Sequence, residues 1–132
     1  MPTLFTRIIN GELPGRFVYT DDRVVAFLSI APLTAGHTLV VPRQELDQWT
    51  DADASLLAHC VDVARRIGEA AKEAFGAPRA GLVIAGFEVP HMHVHVFPAW
   101  TMEDFDFGQA KAASAEELDA AAAKLRGALE RA

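Results

Sequence analysis

Residues 91–98 read His91-Met92-His93-Val94-His95-Val96-Phe97-Pro98 and hold three of the five histidines in the chain. Side chains alternate between the two faces of a β-strand, so residues two apart share a face. The segment is predicted as a strand. It puts His91, His93 and His95 on one side, roughly 6.5–7 Å apart at successive positions. Met92, Val94 and Val96 then pack on the other side. Packing alone does not explain three imidazoles in a row, because buried polar groups without partners cost free energy. Three readings are open at this point. The row is a solvated polar face, or a metal site, since histidines two apart on a strand can share an ion. Or it is a nucleophilic centre, because neutral imidazole attacks phosphorus while its neighbours hold its tautomer and bind phosphate oxygens.

Upstream, Ala80–Ala85 reads AGLVIA, a buried strand. Before it, Leu56, Leu57, Val61, Ala64, Ile67, Ala71 and Phe75 recur every three or four residues. That spacing predicts a long helix over about 51–75, with Thr50, Asp51 or Asp53 as N-cap and Gly76 as the stop. Trp49 is read as a staple at its start and His59 as an exposed helical residue. Nearer the N-terminus, residues 37–41 (HTLVV), 23–29 (RVVAFLS) and 16–20 read as strands, with Asp21-Asp22 as a tight turn. Residues 3–10 carry Leu4, Phe5, Ile8 and Ile9 at helical spacing, stopped by Asn10-Gly11. Downstream, residues 102–113 read as a loop, Ser114–Glu117 as a capping box and the Ala-rich stretch to Arg131 as a helix. Hairpins in the first half, with this order of elements, point to an α+β fold with a mainly antiparallel sheet and helices on one face.

A chain of 132 residues argues for one domain, and 51% apolar residues suffice for its core. The net charge of −6 disfavours a nucleic acid polymer as partner but leaves room for one small anion. A single cysteine, Cys60, excludes an intrachain disulfide and a Cys-rich zinc knuckle and fits a reduced compartment. Met1 to Asn10 lacks the apolar run of a signal peptide, and no run reaches the ~20 residues that span a bilayer. A cytoplasmic protein without membrane contact is expected.

The histidine segment resembles the signature of the histidine triad (HIT) family: His, apolar, His, apolar, His, apolar, apolar. The resemblance extends upstream to residues 5–14 (FTRIINGELP), 21–32 (DDRVVAFLSIAP) and 36–42 (GHTLVVP). It covers about residues 3–100. What it implies for the fold is a mainly antiparallel five-stranded sheet with two main helices. The chain would then be a single HIT domain, 1–132, with a C-terminal loop and helix over 101–132. For function it implies a nucleotide phosphoramidate or phosphoanhydride hydrolase, or a nucleotidyl transferase. His93 matches the nucleophile that attacks the α-phosphorus and becomes a nucleotidyl-histidine, which water hydrolyses. His95 matches a residue that hydrogen-bonds the phosphate. His91 and His37 match a network that orients the nucleophile and passes protons. Such chemistry needs His93 neutral, and backbone N–H groups around Val89 to His91 would add donors to the phosphoryl oxygens. Phe5, Ile8, Phe27 and Ile30 match positions that line the base pocket. Family members usually dimerise by joining two sheets, so a homodimer is expected.

Several positions depart from the family pattern. Ser29 stands where many members have an Asp that binds ribose hydroxyls; a serine still hydrogen-bonds ribose but is no bidentate acceptor. The family's G-Q-S/T-V-x-H reads here Gly86-Phe87-Glu88-Val89-Pro90-His91. Glu88 in that place is open to two readings: a general acid for a leaving amine or alkoxide, or a carboxylate that points away to solvent or to an Arg. Thr3 and Thr6 occupy the places of the Cys-x-x-Cys that binds structural zinc in some relatives, so neither a metal nor another cofactor is expected. Phe105 and Phe107 are read as folding back over the site or a partner subunit. Two rival functions are a non-catalytic nucleotide-binding or interaction module on the same fold, and a metalloprotein liganded by His91, His93 and His95.

Overall fold

The computed structural model describes residues 2–131. Five strands, β1 (Phe17–Thr20), β2 (Val24–Leu28), β3 (Thr38–Pro42), β4 (Arg79–Val83) and β5 (Val94–Ala99), form one sheet in the order β1-β2-β3-β5-β4. Every neighbouring pair is antiparallel. Three helices accompany it: α1 (Leu4–Ile9), α2 (Ala54–Phe75) and α3 (Ala115–Arg131). The expected α+β architecture is therefore present, with all five strands in one antiparallel sheet.

The period-2 pattern of the strands sorts the core onto two faces. Val24 and Ala26 of β2, Val40 of β3, and Met92, Val94 and Val96 pack against Leu56, Cys60, Val63, Ala64 and Ile67 of α2. On the opposite face, Val25 and Phe27 alternate with them and join Leu39, Val41 and Phe5 of α1. The sequence pointed to helices on one face; α1 takes the other. It is six residues long and contributes an aromatic lid rather than a helical layer.

Local chemistry explains the element ends. Of the three N-cap candidates for α2, Asp53 serves: its carboxylate accepts from the Leu56 N–H at 2.8 Å. Gly76 closes the helix in the left-handed region at φ 66°. Ala52, the residue before the cap, and Leu57 both pack against the core, whereas Trp49, read as the staple, stands exposed. The Ser114–Glu117 capping box is present in both directions, at 3.1 and 3.0 Å. From there α3 buries Leu118, Ala121, Ala122, Leu125 and Ala128 against Leu28, Ala70 and Ala71. The C-terminal segment is thus part of the same packed body. The stretch read as a loop over 102–113 contains two 3₁₀ turns, Met102–Phe105 and Phe107–Gln109. His59, read as simply exposed, instead bonds Asp21 at 2.7 Å across the β1–β2 turn. No helix among the described residues is long and apolar enough to cross a membrane.

The decisive segment departs from a regular strand. β5 begins at Val94, so of the three alternating histidines only His95 lies in the ladder. Pro42 at the end of β3 has no N–H with which to continue pairing. Its carbonyl is taken by the His91 ring at 2.7 Å, and the Met92 N–H turns to the Leu46 carbonyl at 2.6 Å.

Candidate functional site

The face of the sheet opposite α2 opens into a cleft of about 530 Å³. Phe5 and Ile8 of α1, Phe27 of β2 and the following Ser29 and Ile30 line it on one side. His37, His93, His95, Val89 and Glu88 line it on the other. All the residues proposed for base, ribose and phosphate contacts therefore meet in one cavity. His91 does not reach it: it lies fully buried behind Phe5, the ring centroids 5.8 Å apart.

Hydrogen bonding determines which nitrogen of each ring carries the proton. A carbonyl oxygen only accepts, and a backbone amide only donates. The His93 Nδ1 stands 2.8 Å from the His91 carbonyl, so Nδ1 bears the hydrogen. In the neutral ring Nε2 is left as a lone pair at the cleft. The Leu33 N–H donates to the His37 Nδ1 at 2.9 Å, which forces the His37 proton onto Nε2. That Nε2–H donates to the His95 Nδ1 at 2.9 Å. His95 must then carry its own proton on Nε2, as a donor at the cleft. Two neighbouring rings, with centroids 4.9 Å apart, thus present a lone pair and an N–H side by side.

Electrostatics keep these rings neutral. Burial pushes the His37 pKa down to about 3, helped by the neighbouring His95 and His93, and the His95 pKa down to about 4, helped by His93. Burial also lowers that of His93, against its bond to the His91 carbonyl and the Glu88 charge, which pull the other way. Aromatic edges shield the row: Phe5 stands 4.9 Å from His93, and Phe107 stands 4.9 Å from His95. Phe107 belongs to the C-terminal segment, which covers the site of its own chain; Phe105 instead packs on Phe97.

The geometry revises four roles. His91 orients His93 through its backbone carbonyl, while its ring ties α1 to β3. Its Nε2–H donates to Pro42, leaving Nδ1 to accept from the Thr3 hydroxyl at 2.6 Å. His37 fixes the tautomer of His95 but relays no proton, because the Leu33 amide occupies its second nitrogen. Around residues 89–91, Pro90 has no N–H and that of His91 is bonded to the Val89 carbonyl, so only the Val89 N–H remains for a ligand. Glu88 stands on the exposed rim, the solvent-facing one of its two readings rather than the buried carboxyl that a general acid calls for.

A metal bound by His91, His93 and His95 does not fit. Both His91 nitrogens are engaged, and the described residues contain no cluster of three His, Cys, Asp or Glu that would hold an ion. Thr3 and Thr6, in the places of the Cys-x-x-Cys, are joined to each other and, through the Thr3 hydroxyl, to His91. The Thr3 N–H donates to Glu45 at 2.8 Å. Thr3 carries a sequence signal as the N-cap of α1, but its bond across 88 residues to His91 has none. Leu118 of α3 and Ala110 also line the cleft and were outside the sequence-based site.

Comparison with known proteins follows the same residues. The HIT domain family matches residues 10–102. The chain is 39% identical to a HIT-like protein of Borreliella burgdorferi, over 79% of this chain and 80% of that protein. Among solved structures it is similar to a zinc-bound histidine triad family protein from Mycobacterium smegmatis. The TM-score is 0.84 and the identity 29%, over 97% of this chain and 93% of that one. A hypothetical histidine triad nucleotide-binding protein from Sulfolobus tokodaii superimposes with a TM-score of 0.81 and 30% identity, covering 96% and 91%.

Proposed function

We propose that this chain, which belongs to the HIT domain family, is a hydrolase or nucleotidyl transferase that forms a covalent intermediate between His93 and the phosphorus of a nucleotide-like substrate. The observation that carries this reading is the opposite protonation of two adjacent rings. The His93 Nε2 offers an electron pair to phosphorus, and the His95 Nε2–H, beside it, donates to a phosphoryl oxygen. As His93 forms its bond the ring gains positive charge, and the His91 carbonyl on Nδ1–H stabilises that charge. This is the role of the oriented acceptor behind a catalytic imidazole. Phe5, Phe27 and Ile8 supply an apolar wall suited to a base, and the Ser29 hydroxyl lies on the same wall as a partner for a ribose. The related protein from Sulfolobus tokodaii is described as nucleotide-binding. A module that only binds nucleotides would have no use for a shielded imidazole lone pair.

The test is a panel of nucleotides, phosphoramidates and dinucleoside polyphosphates, with alkaline quenching and mass spectrometry of the peptide that contains His93. A nucleotidyl group on His93 is the expected result. Turnover without any adduct, and undiminished in His93→Asn, would sink the mechanism.

We also propose a homodimer joined through β4. The outer edge of β1 is partly covered, since Arg126 bonds the Phe17 carbonyl at 2.7 and 2.9 Å. β4 is the opposite edge of the sheet, with Leu82 of β4 and Val61 of α2 exposed beside it. Sedimentation of the wild type and of a Leu82→Lys variant checks this; a monomeric wild type would refute it.

A further inference from the structure

One wall of the cleft is carried by α1, and little of α1 is anchored by its own packing. The helix is six residues long, and Phe5 is its one buried side chain. Isolated helices shorter than about 12–15 residues are marginal in water, so the place of α1 is set by its anchors. Thr3, its N-cap, supplies them. The Thr3 hydroxyl oxygen accepts from the Thr6 N–H at 3.1 Å and so caps the helix. The same hydroxyl donates its proton to the His91 Nδ1 at 2.6 Å, across 88 residues of chain. The Thr3 N–H donates to the Glu45 carboxylate at 2.8 Å, across 42.

The remote partner of that hydroxyl is the residue that holds the nucleophile. His91 is fully buried, its Nε2–H bonded to the Pro42 carbonyl at 2.7 Å. Its own carbonyl accepts from the His93 Nδ1–H at 2.8 Å. Two residues after Thr3, the Phe5 ring stands against His91, His93 and Phe27, with centroids 5.8, 4.9 and 5.6 Å away. Ile8 continues the wall one turn further. One side chain thus ties the apolar wall to the backbone that aims the attacking ring.

We infer that Thr3 is a positioning residue: its hydroxyl latches α1 to His91 and so sets the Phe5–Ile8 wall at the distance from His93 that a base and its phosphorus need together. This rests on the reading that the cleft takes a nucleotide with its base on that wall. Thr3 itself does not line the cleft. Without its hydroxyl, the His91 Nδ1 is a buried acceptor with no donor, and α1 keeps the Glu45 bond and the Phe5 contact alone. The wall then samples several positions. A ligand that uses it binds more weakly, in proportion to the fraction of molecules in the competent one. A ligand without a base is indifferent to the wall. It still meets His93 with its lone pair outward, because the His91 carbonyl, not Thr3, fixes that tautomer.

The experiment measures binding of AMP and ribose 5-phosphate by calorimetry, and turnover of adenosine 5′-phosphoramidate and ribose 5-phosphoramidate. Thr3→Val keeps the shape of the side chain and removes the hydroxyl. It should raise the Kd of AMP and the KM of the adenosine compound about tenfold, with kcat changed less than about twofold. The two base-free compounds should behave as they do with the wild type. Thr3→Ser, which keeps the hydroxyl, should restore AMP binding. Glu45→Ala loses the weaker, exposed grip and should raise the Kd of AMP about threefold. Asp53→Ala, which removes the cap of α2 away from the cleft, should leave AMP binding unchanged despite its lower urea midpoint, so a general loss of stability cannot mimic the effect. An unaltered Kd of AMP in Thr3→Val would overturn the inference, as would equal weakening of base-bearing and base-free ligands, or no recovery in Thr3→Ser. If the wild type forms a His93 adduct in those cases, the proposed function stands and only the latch falls. A base-dependent loss in Thr3→Val without any His93 adduct would keep the latch and sink the covalent mechanism. Failure of the wild type to bind AMP would overturn the latch and the base wall together.

Discussion

His93 and His95 are two residues apart, share a cleft and are both buried, yet they present opposite chemistry to it. Behind His93 is a backbone carbonyl, which draws the proton inward and leaves a lone pair outside. Behind His95 is a donor, the His37 ring, itself held by the Leu33 amide, which leaves the proton outside. The polarity of a neutral imidazole at a site is set by what touches its far nitrogen. Here one ring is set by its own segment and the other by the loop before β3.

The contrast can be broken at decreasing cost. The largest effect is expected from His93→Ala, which removes the lone pair: turnover should fall at least about a thousandfold, with circular dichroism unchanged. His95→Ala removes one donor and should lower kcat by about 10²–10³ while an adduct on His93 still forms slowly. His37→Phe leaves His95 free to move its proton, and about a tenfold loss in kcat is expected, an order-of-magnitude figure for one lost orienting bond. Nitrogen NMR should then show mixed tautomers at His95. His37→Gln, which accepts from Leu33 and donates to His95, should restore both readouts; a merely structural role for His37 would not produce that rescue.

Acid sharpens the same comparison. The His93 pKa lies below its ordinary value, so the acid limb of kcat/KM should fall below pH 6.5. For stability, the unfolded chain takes up protons near pH 6.5, while folded His95 and His37 do so only at about 4 and about 3. Between those limits the unfolded state binds more protons, so stability is complete above about 6.5 and declines as pH falls toward them. Denaturant titrations from pH 7 to 4 should show this slope in the wild type and a shallower one in His37→Phe. The smallest effect is a control away from the cleft. Asp53→Ala removes the α2 cap and should cost about 1 kcal/mol of stability, seen in urea unfolding, with kcat unchanged.

Much of this was legible in the sequence where the signal is local. The Ser114–Glu117 capping box, Gly76, the period of α2 and the alternation of Met92, Val94 and Val96 against the histidines all rest on neighbours in the chain. The misread parts rest on distant ones. The strand expected from His91 starts at Val94 because Pro42, on another strand, cannot continue the ladder. Which of the two readings of Glu88 holds depends on its exposure at the cleft rim, which its neighbours along the chain do not set. Ala110 and Leu118, outside the sequence-based site, reach the cleft only because α3 packs on α2 and β1.

By itself the sequence determined that three imidazoles alternate with apolar side chains and that the chain carries the order of elements of one antiparallel sheet. It did so because periodicity and caps depend on residues close in the chain. Only the tertiary structure decided which imidazole bears a lone pair and which bears a proton. Those choices are made by Leu33 and His37, which folding brings to His95, and by the His91 carbonyl, which turns onto the His93 ring where the segment leaves the ladder. A proton's position on a ring is a property of its partners, and partners are assigned only when the chain closes on itself.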